Sequence, residues 1–178
     1  NMKNEDCREK MKTAREWIHR LQLEPHIEGG FFRQILKSDV KISENSERKR
    51  ALYTSIYFLL EEDNPSHLHQ LTADEVWYFH EGSPLTIHLF SADGVYRTIL
   101  LGKNIEGGEH LQAVVPRGTI FGSSVEEGYA LVSCLVSPGF QYEDFRLMKR
   151  GEMLEKYPLQ REEILRLTRE DGASERPM

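Results

Sequence analysis

The sequence has few cysteines, no long hydrophobic run and no excess of positive charge. Its 178 residues contain only two cysteines, Cys7 and Cys134, and the absence of a C-x-x-C pair excludes a cysteine-based zinc knuckle. The apolar runs are far too short to cross a bilayer. Lys and Arg number 23 against 29 Asp and Glu, a net charge of -6, which disfavours general nucleic-acid binding. We therefore expect neither a membrane nor a nucleic acid as partner.

The composition suits one folded globular domain. Hydrophobic residues make up 39% of the chain and charged residues 29%, so we expect a single domain over residues 1–178. No basic-then-apolar leader is visible in the first residues, and the scarcity of cysteine is typical of a reduced protein. These features predict a cytoplasmic location. Cys134 lies in the run LVSCLV, which is typical of a core position.

Helical patterns flank the chain at both ends. Residues 6–22 repeat apolar side chains at helical spacing, with Asp6 as the candidate N-cap. Residues 151–169 predict one or two short helices, with Pro158 at a helix start. The polar segment 171–178 predicts a disordered tail.

Between these helices the sequence is β-rich, with a predicted core over about residues 26–148. Residues 51–60 form a strand of aromatic and branched side chains, and residues 84–90 and 95–101 predict a hairpin. The charged segment 38–50 predicts an exposed, mobile loop whose Arg-Lys-Arg run faces solvent. Many short strands separated by turns predict a sandwich or barrel rather than βαβ units.

The stretch SHLHQLTADEVWYFHEG, residues 66–82, concentrates the residues suited to chemistry. His67 and His69 are two residues apart, so an extended chain directs both imidazoles to one side. Alternate residues of the following strand, from Glu75 onward, share a face. Two imidazoles and a carboxylate beside aromatic side chains could form a metal site or an acid–base pocket.

The order of these features resembles the cupin superfamily. Its first motif is H-x-H followed by a Glu and a Gly, and it maps onto His67, His69, Glu75 and Gly82. Its second motif is P-x-G-x-x-H, and it maps onto Pro116, Gly118 and position 121. The pieces HIEGGFFR, QAVVPRGTIF and VSPGFQYEDF are similar to the cupin-5 branch, a domain of unknown function. The resemblance implies a mainly β fold, a double-stranded β-helix or RmlC-like jelly roll with short N- and C-terminal helices. It also implies a homodimer and no established reaction.

One departure from the cupin pattern bears on metal binding. Phe121 occupies the position where metal-binding cupins supply their last histidine, and an aromatic ring cannot coordinate a divalent ion. We therefore expect no cofactor. The alternative is a divalent metal held by a reduced set of ligands: His67, His69 and Glu75 of the first motif, completed by Gln112 of a neighbouring strand or by water.

A metal-free reaction is the leading hypothesis. Some cupins isomerise or epimerise nucleotide-linked sugars with a carboxylate-held histidine as base and a tyrosine as acid. By this resemblance His69 is the base, Asp74 or Glu75 is its partner, and Tyr57 or Tyr78 is the acid. The expected ligand is a small polar metabolite such as a sugar or a nucleotide sugar.

Binding without chemistry is the second hypothesis. The predicted ligand contacts are aromatic walls and polar groups at the barrel mouth: Trp77, Phe79, Phe121, His67, Gln112 and Arg33. Arg33 could pair with a ligand carboxylate or phosphate, or form a structural salt bridge with Glu28 or Asp144.

Overall fold

Residues 12–171 are described by the structure, a computed structural model, and antiparallel strands are their main regular structure. The strands, in chain order, are β1 (Glu24–Pro25), β2 (Phe31–Lys37), β3 (Lys41–Ser43), β4 (Lys49–Ala51), β5 (Thr54–Glu61), β6 (Ser66–Leu71), β7 (Asp74–Gly82), β8 (Leu85–Phe90), β9 (Tyr96–Leu101), β10 (Gln112–Val115), β11 (Ile120–Val125), β12 (Tyr129–Ser137) and β13 (Phe145–Leu147). The helices are α1 (Ala14–Leu21), α2 (Arg150–Lys156) and α3 (Arg161–Arg166).

The strands form two main sheets and a separate hairpin. One sheet has the order β1-β2-β5-β12-β7-β10, the other has the order β13-β6-β11-β8-β9, and β3 pairs with β4. Consecutive strands β5, β6, β7 and β8 alternate between the two main sheets. This alternation produces the predicted mainly β jelly roll, with short flanking helices, and the predicted hairpin of β8 and β9 is also present.

The core lies between the two main sheets. Along β7, Glu75, Trp77 and Phe79 are buried, and the residues between them are partly exposed, as the period of two predicts. The Trp77 ring packs edge-on against Phe58 of its own sheet, at 5.9 Å between centroids, and against Phe121 of the facing sheet, at 6.3 Å. Each such buried aromatic or aliphatic side chain contributes about 1.5–3 kcal/mol to stability.

Helix α1 covers the outer face of the first sheet. The helix begins after Thr13, whose side chain accepts a hydrogen bond from the Glu16 amide at 3.2 Å, while the Glu16 carboxylate accepts one from the Thr13 amide at 2.7 Å. Its apolar face packs on Leu59 and Leu131. The predicted start at residue 6 and the predicted N-cap Asp6 lie outside the described residues.

Helices α2 and α3 cover the outer face of the second sheet. They are joined by a 3-10 turn that Pro158 opens, as predicted, and Met153 and Ile164 pack against Phe90 and Ile120. The predicted tail lies outside the described residues beyond residue 171. No helix in the described part of the chain has the length and apolar character needed to cross a membrane.

The predicted loop at residues 38–50 is exposed over most of its length, but it has regular structure and its Arg-Lys-Arg run does not all face solvent. This segment contains the β3–β4 hairpin, and Arg50 is only 1% exposed. Its guanidinium donates to the Gly139 carbonyl at 2.8 Å and pairs with the carboxylates of Glu44 at 3.0 Å and Asp144 at 3.4 Å. The two acids and the carbonyl stabilise the buried charge, which the local composition alone could not indicate.

Candidate functional site

A cavity of about 330 Å³ lies between the sheets and contains the first group of candidate residues. Its walls come from the β1–β2 turn, from strands β2, β5, β6, β7 and β12, and from the segment that follows β12. The titratable side chains of its lining include His26 and Glu28 of the turn, His69 of β6 and Glu75 of β7. These groups are all buried, so the cavity is a polar site inside an apolar fold.

The β1–β2 turn is shaped by two glycines. Gly29 and Gly30 have φ values of 110° and 71°, which side chains rarely adopt, and a Cβ on Gly29 would lie 2.0 Å from the Pro65 carbonyl oxygen. The close approach lets the Glu28 carbonyl accept a hydrogen bond from the His67 amide at 2.7 Å. The turn is therefore fixed to the start of β6, and the Glu28 side chain is carried towards the cavity.

The Glu28 carboxylate and His69 form a buried pair. Nδ1 of His69 lies 2.9 Å from Oε2 of Glu28 and 2.8 Å from the carbonyl oxygen of His67. Both neighbours can only accept hydrogen bonds, so Nδ1 carries the proton in the neutral imidazole as well as in the charged one. Among residues 12–171, no side chain or backbone group hydrogen-bonds Nε2. The neutral ring therefore offers Nε2 as a proton acceptor.

The charges of this pair stabilise one another. Burial alone would lower the pKa of His69, but the nearby Glu28 carboxylate outweighs it and raises that pKa above the ordinary value. Burial likewise favours the neutral form of Glu28, yet the positive charge of His69 lowers the pKa of the carboxyl. His69 therefore gains basicity from Glu28 despite being only 2% exposed.

The pKa of Glu75 is shifted in the opposite direction from that of Glu28. Burial first, and then the negative charge of Glu28, raise the pKa of the Glu75 carboxyl to about 8, although His69 acts against the shift. Burial and the neighbouring carboxylates also raise the pKa of the Cys134 thiol, which hydrogen-bonds Glu75. At neutral pH Glu75 is therefore a carboxylic acid that can donate a proton, and Cys134 remains a thiol.

His26 is a neutral wall of the cavity. Its Nδ1 accepts a hydrogen bond from the Glu28 amide at 3.1 Å, so the proton of the neutral ring is on Nε2. Burial lowers the pKa of His26, and its 3.8 Å approach to the Glu28 carboxylate is therefore not an ion pair at neutral pH. Its ring packs against Phe32 at 4.5 Å between centroids, and Phe140 and Tyr142 lie 6.4 Å away.

Of the residues predicted as catalytic, the structure brings together His69 and Glu75. The carboxylate in contact with Nδ1 of His69 is that of Glu28, which corrects the expectation that Asp74 or Glu75 holds the ring. Asp74 is exposed, and its carboxylate accepts a hydrogen bond from the Arg117 amide at 2.8 Å. Tyr57 packs in the cluster beneath α1, on the face of β5 that points away from the cavity. Tyr78, the other candidate acid, does not line the cavity.

The predicted binding residues are also dispersed. Arg33 bonds the Gln22 side chain and the Leu21 carbonyl, while Asp144 pairs with Arg48 and Arg50, so the suggested salt bridges of Arg33 do not form. The aromatic residues predicted as cavity walls are buried in the main core instead: Trp77, Phe79 and Phe121. Phe121 still contacts His69, with 4.2 Å between ring centroids.

The predicted metal ligands do not converge. Nδ1 of His67 lies 2.6 Å from the Glu28 carbonyl, and the ring does not line the cavity. Gln112 is exposed on the edge strand β10. Only His69 and Glu75 of the set face the cavity, and in residues 12–171 no three His, Cys, Asp or Glu side chains are grouped to hold a metal ion. The residues present do not fit a divalent metal at the cupin position.

Several cavity residues were missed by the sequence analysis: Glu28, His26, Cys134, Phe140 and Tyr142. The similarity to the cupin-5 branch could have indicated them. Two of the matching pieces, HIEGGFFR and VSPGFQYEDF, contain four of these five residues. Of the charged residues in these two pieces, only Arg33 was predicted as a ligand contact.

Two facing antiparallel sheets with a polar cavity between them define a cupin-type jelly roll. The chain belongs to the cupin superfamily domain family DUF985, also called Cupin_5, whose sequence model matches residues 15–148. This confirms the resemblance found in the sequence.

Two solved structures and one further protein are similar to most of this chain. A hypothetical protein from Leishmania major is 43% identical, with a TM-score of 0.84 over 89% of this chain and 100% of that one. Protein SO0799 from Shewanella oneidensis is 42% identical, with a TM-score of 0.84 over 90% and 100%. The uncharacterized protein YML079W of Saccharomyces cerevisiae is 27% identical over 80% of this chain and 78% of its own.

Oxalate decarboxylase from Bacillus subtilis shares the fold at a greater distance. It is 16% identical with a TM-score of 0.51, and the match covers 84% of this chain but 38% of the decarboxylase. At this identity the comparison shows the fold alone, and it carries no statement about the reaction.

Proposed function

We propose that this cupin binds a small polar metabolite in its cavity and transfers protons on it, as a metal-independent isomerase or epimerase. The observation that carries the proposal is the fixed tautomer of His69. Two acceptors hold the proton on Nδ1, so Nε2 is free to take a proton from a bound ligand.

The second participant is Glu75, which is protonated at neutral pH because its pKa is about 8. In the proposed reaction Nε2 of His69 removes a proton from carbon next to a carbonyl, and the Glu75 carboxyl gives its proton to the carbonyl oxygen. The protonated Nε2 of His69 then returns its proton to the enol. For isomerisation the proton goes to the neighbouring carbon, and for epimerisation it goes to the opposite face of the same carbon after the enol has turned over in the cavity. Glu75 recovers its proton as the new carbonyl forms, so atoms and charges balance.

The volume of the cavity narrows the expected ligand. Pockets for small molecules span about 300–1,000 Å³, and 330 Å³ lies at the lower end of that range. A single sugar ring or a molecule of similar size fits this volume, whereas a nucleotide-linked sugar is too large to be enclosed. Of the ligand classes that the sequence suggests, we therefore favour the free sugar-like metabolite.

The test is a thermal-shift screen of free sugars, followed by proton exchange of each hit in deuterated water. The wild type is expected to exchange the hydrogen next to the carbonyl, and His69→Gln to lose about 100-fold or more of that rate. His19→Gln on the exposed face of α1 is the matched control and should exchange at the wild-type rate. Binding without exchange at a pH where His69 is neutral would contradict the catalytic proposal.

A non-catalytic binding module is the second candidate. His69 and Glu75 are both hydrogen-bonding groups in an enclosed cavity, and this arrangement suits recognition even without turnover. The same screen separates the two candidates, because a binding module gives thermal shifts that depend on His69 but no exchange in any variant.

A homodimer and a cytoplasmic location stay predictions. Exposed apolar side chains on and after β2 support self-association: Ile35, Leu36 and Val40 are 44%, 53% and 58% exposed. Light scattering should give twice the chain mass for the wild type and the monomer mass for Leu36→Glu. A monomeric wild type would contradict the dimer.

A further inference from the structure

The lining of the cavity has a one-sided distribution of charge. Three acidic side chains contribute to it, the carboxylates of Glu24 and Glu28 and the protonated carboxyl of Glu75, and among residues 12–171 no Lys or Arg does. The positive charge available is that of His69, because His26 uses Nδ1 to accept the Glu28 amide hydrogen. His69 is already paired with Glu28 at 2.9 Å, which leaves Glu24 uncompensated at the entrance.

The cationic side chains near the cavity are engaged elsewhere. Arg50 and Arg48 pair with Glu44 and Asp144 of the neighbouring hairpin and turn. Arg33 bonds Gln22. A phosphate or carboxylate on the ligand would thus pass Glu24 into a cavity that offers no guanidinium or ammonium partner, and burial of such an unpaired anion is strongly unfavourable.

Part of the cavity lining is aromatic. Phe32, Phe140 and Tyr142 all contribute to the lining, and the rings of Phe140 and Tyr142 meet edge to face with 5.1 Å between centroids. Aromatic faces attract cations, and carboxylates beside them add to that attraction. Gln34 and Thr54 supply polar groups for neutral hydroxyls on the same ligand.

We infer that the ligand of this cavity is a small ring-sized molecule that carries a protonated amine and no anionic group, such as an amino sugar. Glu24 and the aromatic rings of Phe140 and Tyr142 bind the ammonium group near the entrance. The inference rests on the proposed function for the location of the site, and it excludes sugar phosphates, sugar acids and nucleotide sugars as ligands.

The experiment compares matched probes that differ in charge. Calorimetry measures the binding of D-glucosamine, D-glucose and D-glucuronate, and of cyclohexylammonium, cyclohexanol and cyclohexanecarboxylate as rings free of sugar stereochemistry. The cation of each set should bind about tenfold tighter than the neutral member. The anion should bind more weakly than both.

Three variants test whether Glu24 and Tyr142 cause the preference for cationic probes. Glu24→Gln should weaken binding of the cationic probes about fivefold, and Tyr142→Leu should have a similar effect. Glu24→Lys should reverse the order of cation and anion. Glu24 and Tyr142 are exposed, so these substitutions leave the core intact. Glu62→Gln in the exposed turn after β5 is the matched control and should bind as the wild type does.

The inference would be overturned if either anion bound more tightly than the matching cation, or if no probe bound. It would also be overturned if Glu24→Lys left the order of affinities unchanged. Because calorimetry requires no turnover, the result is independent of catalysis. Tight binding of the cations without proton exchange would contradict the isomerase proposal alone. Proton exchange on an anionic sugar that binds best would contradict the charge inference alone.

Discussion

His69 and His88 are two buried histidines in the same sheet with opposite properties. They flank strand β11, where His69 is opposite Phe121 and His88 is opposite Gly122. Adjacent residues of β11 point to opposite faces, so His69 faces the cavity between the sheets and His88 faces the other side. They are 2% and 7% exposed, so the degree of burial does not separate them.

The partners of the two rings explain the difference. Both nitrogens of His88 are bonded to hydroxyl groups, Nδ1 with Tyr96 and Nε2 with Ser124, each at 2.8 Å. Burial, with a smaller effect of the Arg166 charge, lowers the pKa of His88 to about 4. The carboxylate beside His69 outweighs burial and raises the pKa of the ring, and no group in residues 12–171 hydrogen-bonds its Nε2. Burial with neutral partners on both nitrogens therefore keeps His88 uncharged, whereas a carboxylate on one nitrogen favours the charged form of His69.

The largest expected effect comes from Glu75→Gln. The pKa of Glu75 is about 8 in the folded protein against an ordinary 4.5, so between these values the folded state keeps a proton that the unfolded state releases. The free energy of unfolding of the wild type should therefore fall by about 3 kcal/mol from this group between pH 5 and pH 8. Urea unfolding of Glu75→Gln should lack this decline. Equal declines in both proteins would show that Glu75 ionises normally.

Glu28→Gln tests the charge that distinguishes His69 from His88. The pKa of His69 is higher in the folded state than its ordinary value of 6.5, so this group stabilises the folded state. The stabilisation is fully present below pH 6.5 and is lost as the pH rises through the pKa of the folded state. The variant should lose about 3 kcal/mol of unfolding free energy at pH 5.5 and clearly less at pH 9. Urea unfolding at both pH values measures the loss, with Glu62→Gln as the control. A loss that does not change with pH would mean that Glu28 contributes packing alone.

His88→Gln makes the complementary test. The unfolded state takes up a proton near pH 6.5, but folded His88 stays neutral to about pH 4, so this group destabilises the wild type as pH falls. Its contribution between pH 7 and pH 5 is about 2 kcal/mol. The variant should therefore lose less stability over that interval than the wild type does. His19→Gln, at an exposed position, should follow the wild-type curve.

His67→Gln has the smallest expected effect and separates the two histidines of the H-x-H motif. Its ring bonds the Glu28 carbonyl, so the substitution should cost about 1 kcal/mol and leave the pKa of His69 unchanged. Unfolding and NMR titration measure the two quantities. A fall in the pKa of His69 would show that the histidines act as one unit.

The sequence predicted the fold, the inner face of β7 and the proximity of His69 and Glu75 in one cavity. These features depend on local alternation and on a resemblance that keeps its order along the chain. The orientation of Tyr57 could not be predicted, because β5 is apolar on both faces: one faces the core and the other is covered by α1.

The partner of His69 could not be predicted from spacing either. Glu28 reaches it through the close approach of the Gly29–Gly30 turn to Pro65, a contact between distant parts of the chain. The burial of Arg50 has a similar cause, because Asp144 and the Gly139 carbonyl approach it only in the folded protein. A charged residue whose sequence neighbours predict exposure can thus be buried in the fold when a partner from a distant part of the chain pairs with it.

The most direct test of the central claim is an NMR titration of the ring nitrogens of His69 and His88 in the wild type. We predict that His69 carries its proton on Nδ1 when neutral and that the pKa of His69 lies above 6.5, while His88 remains neutral down to about pH 4. A neutral His69 with its proton on Nε2, or a pKa of His69 below 6.5, would contradict the account.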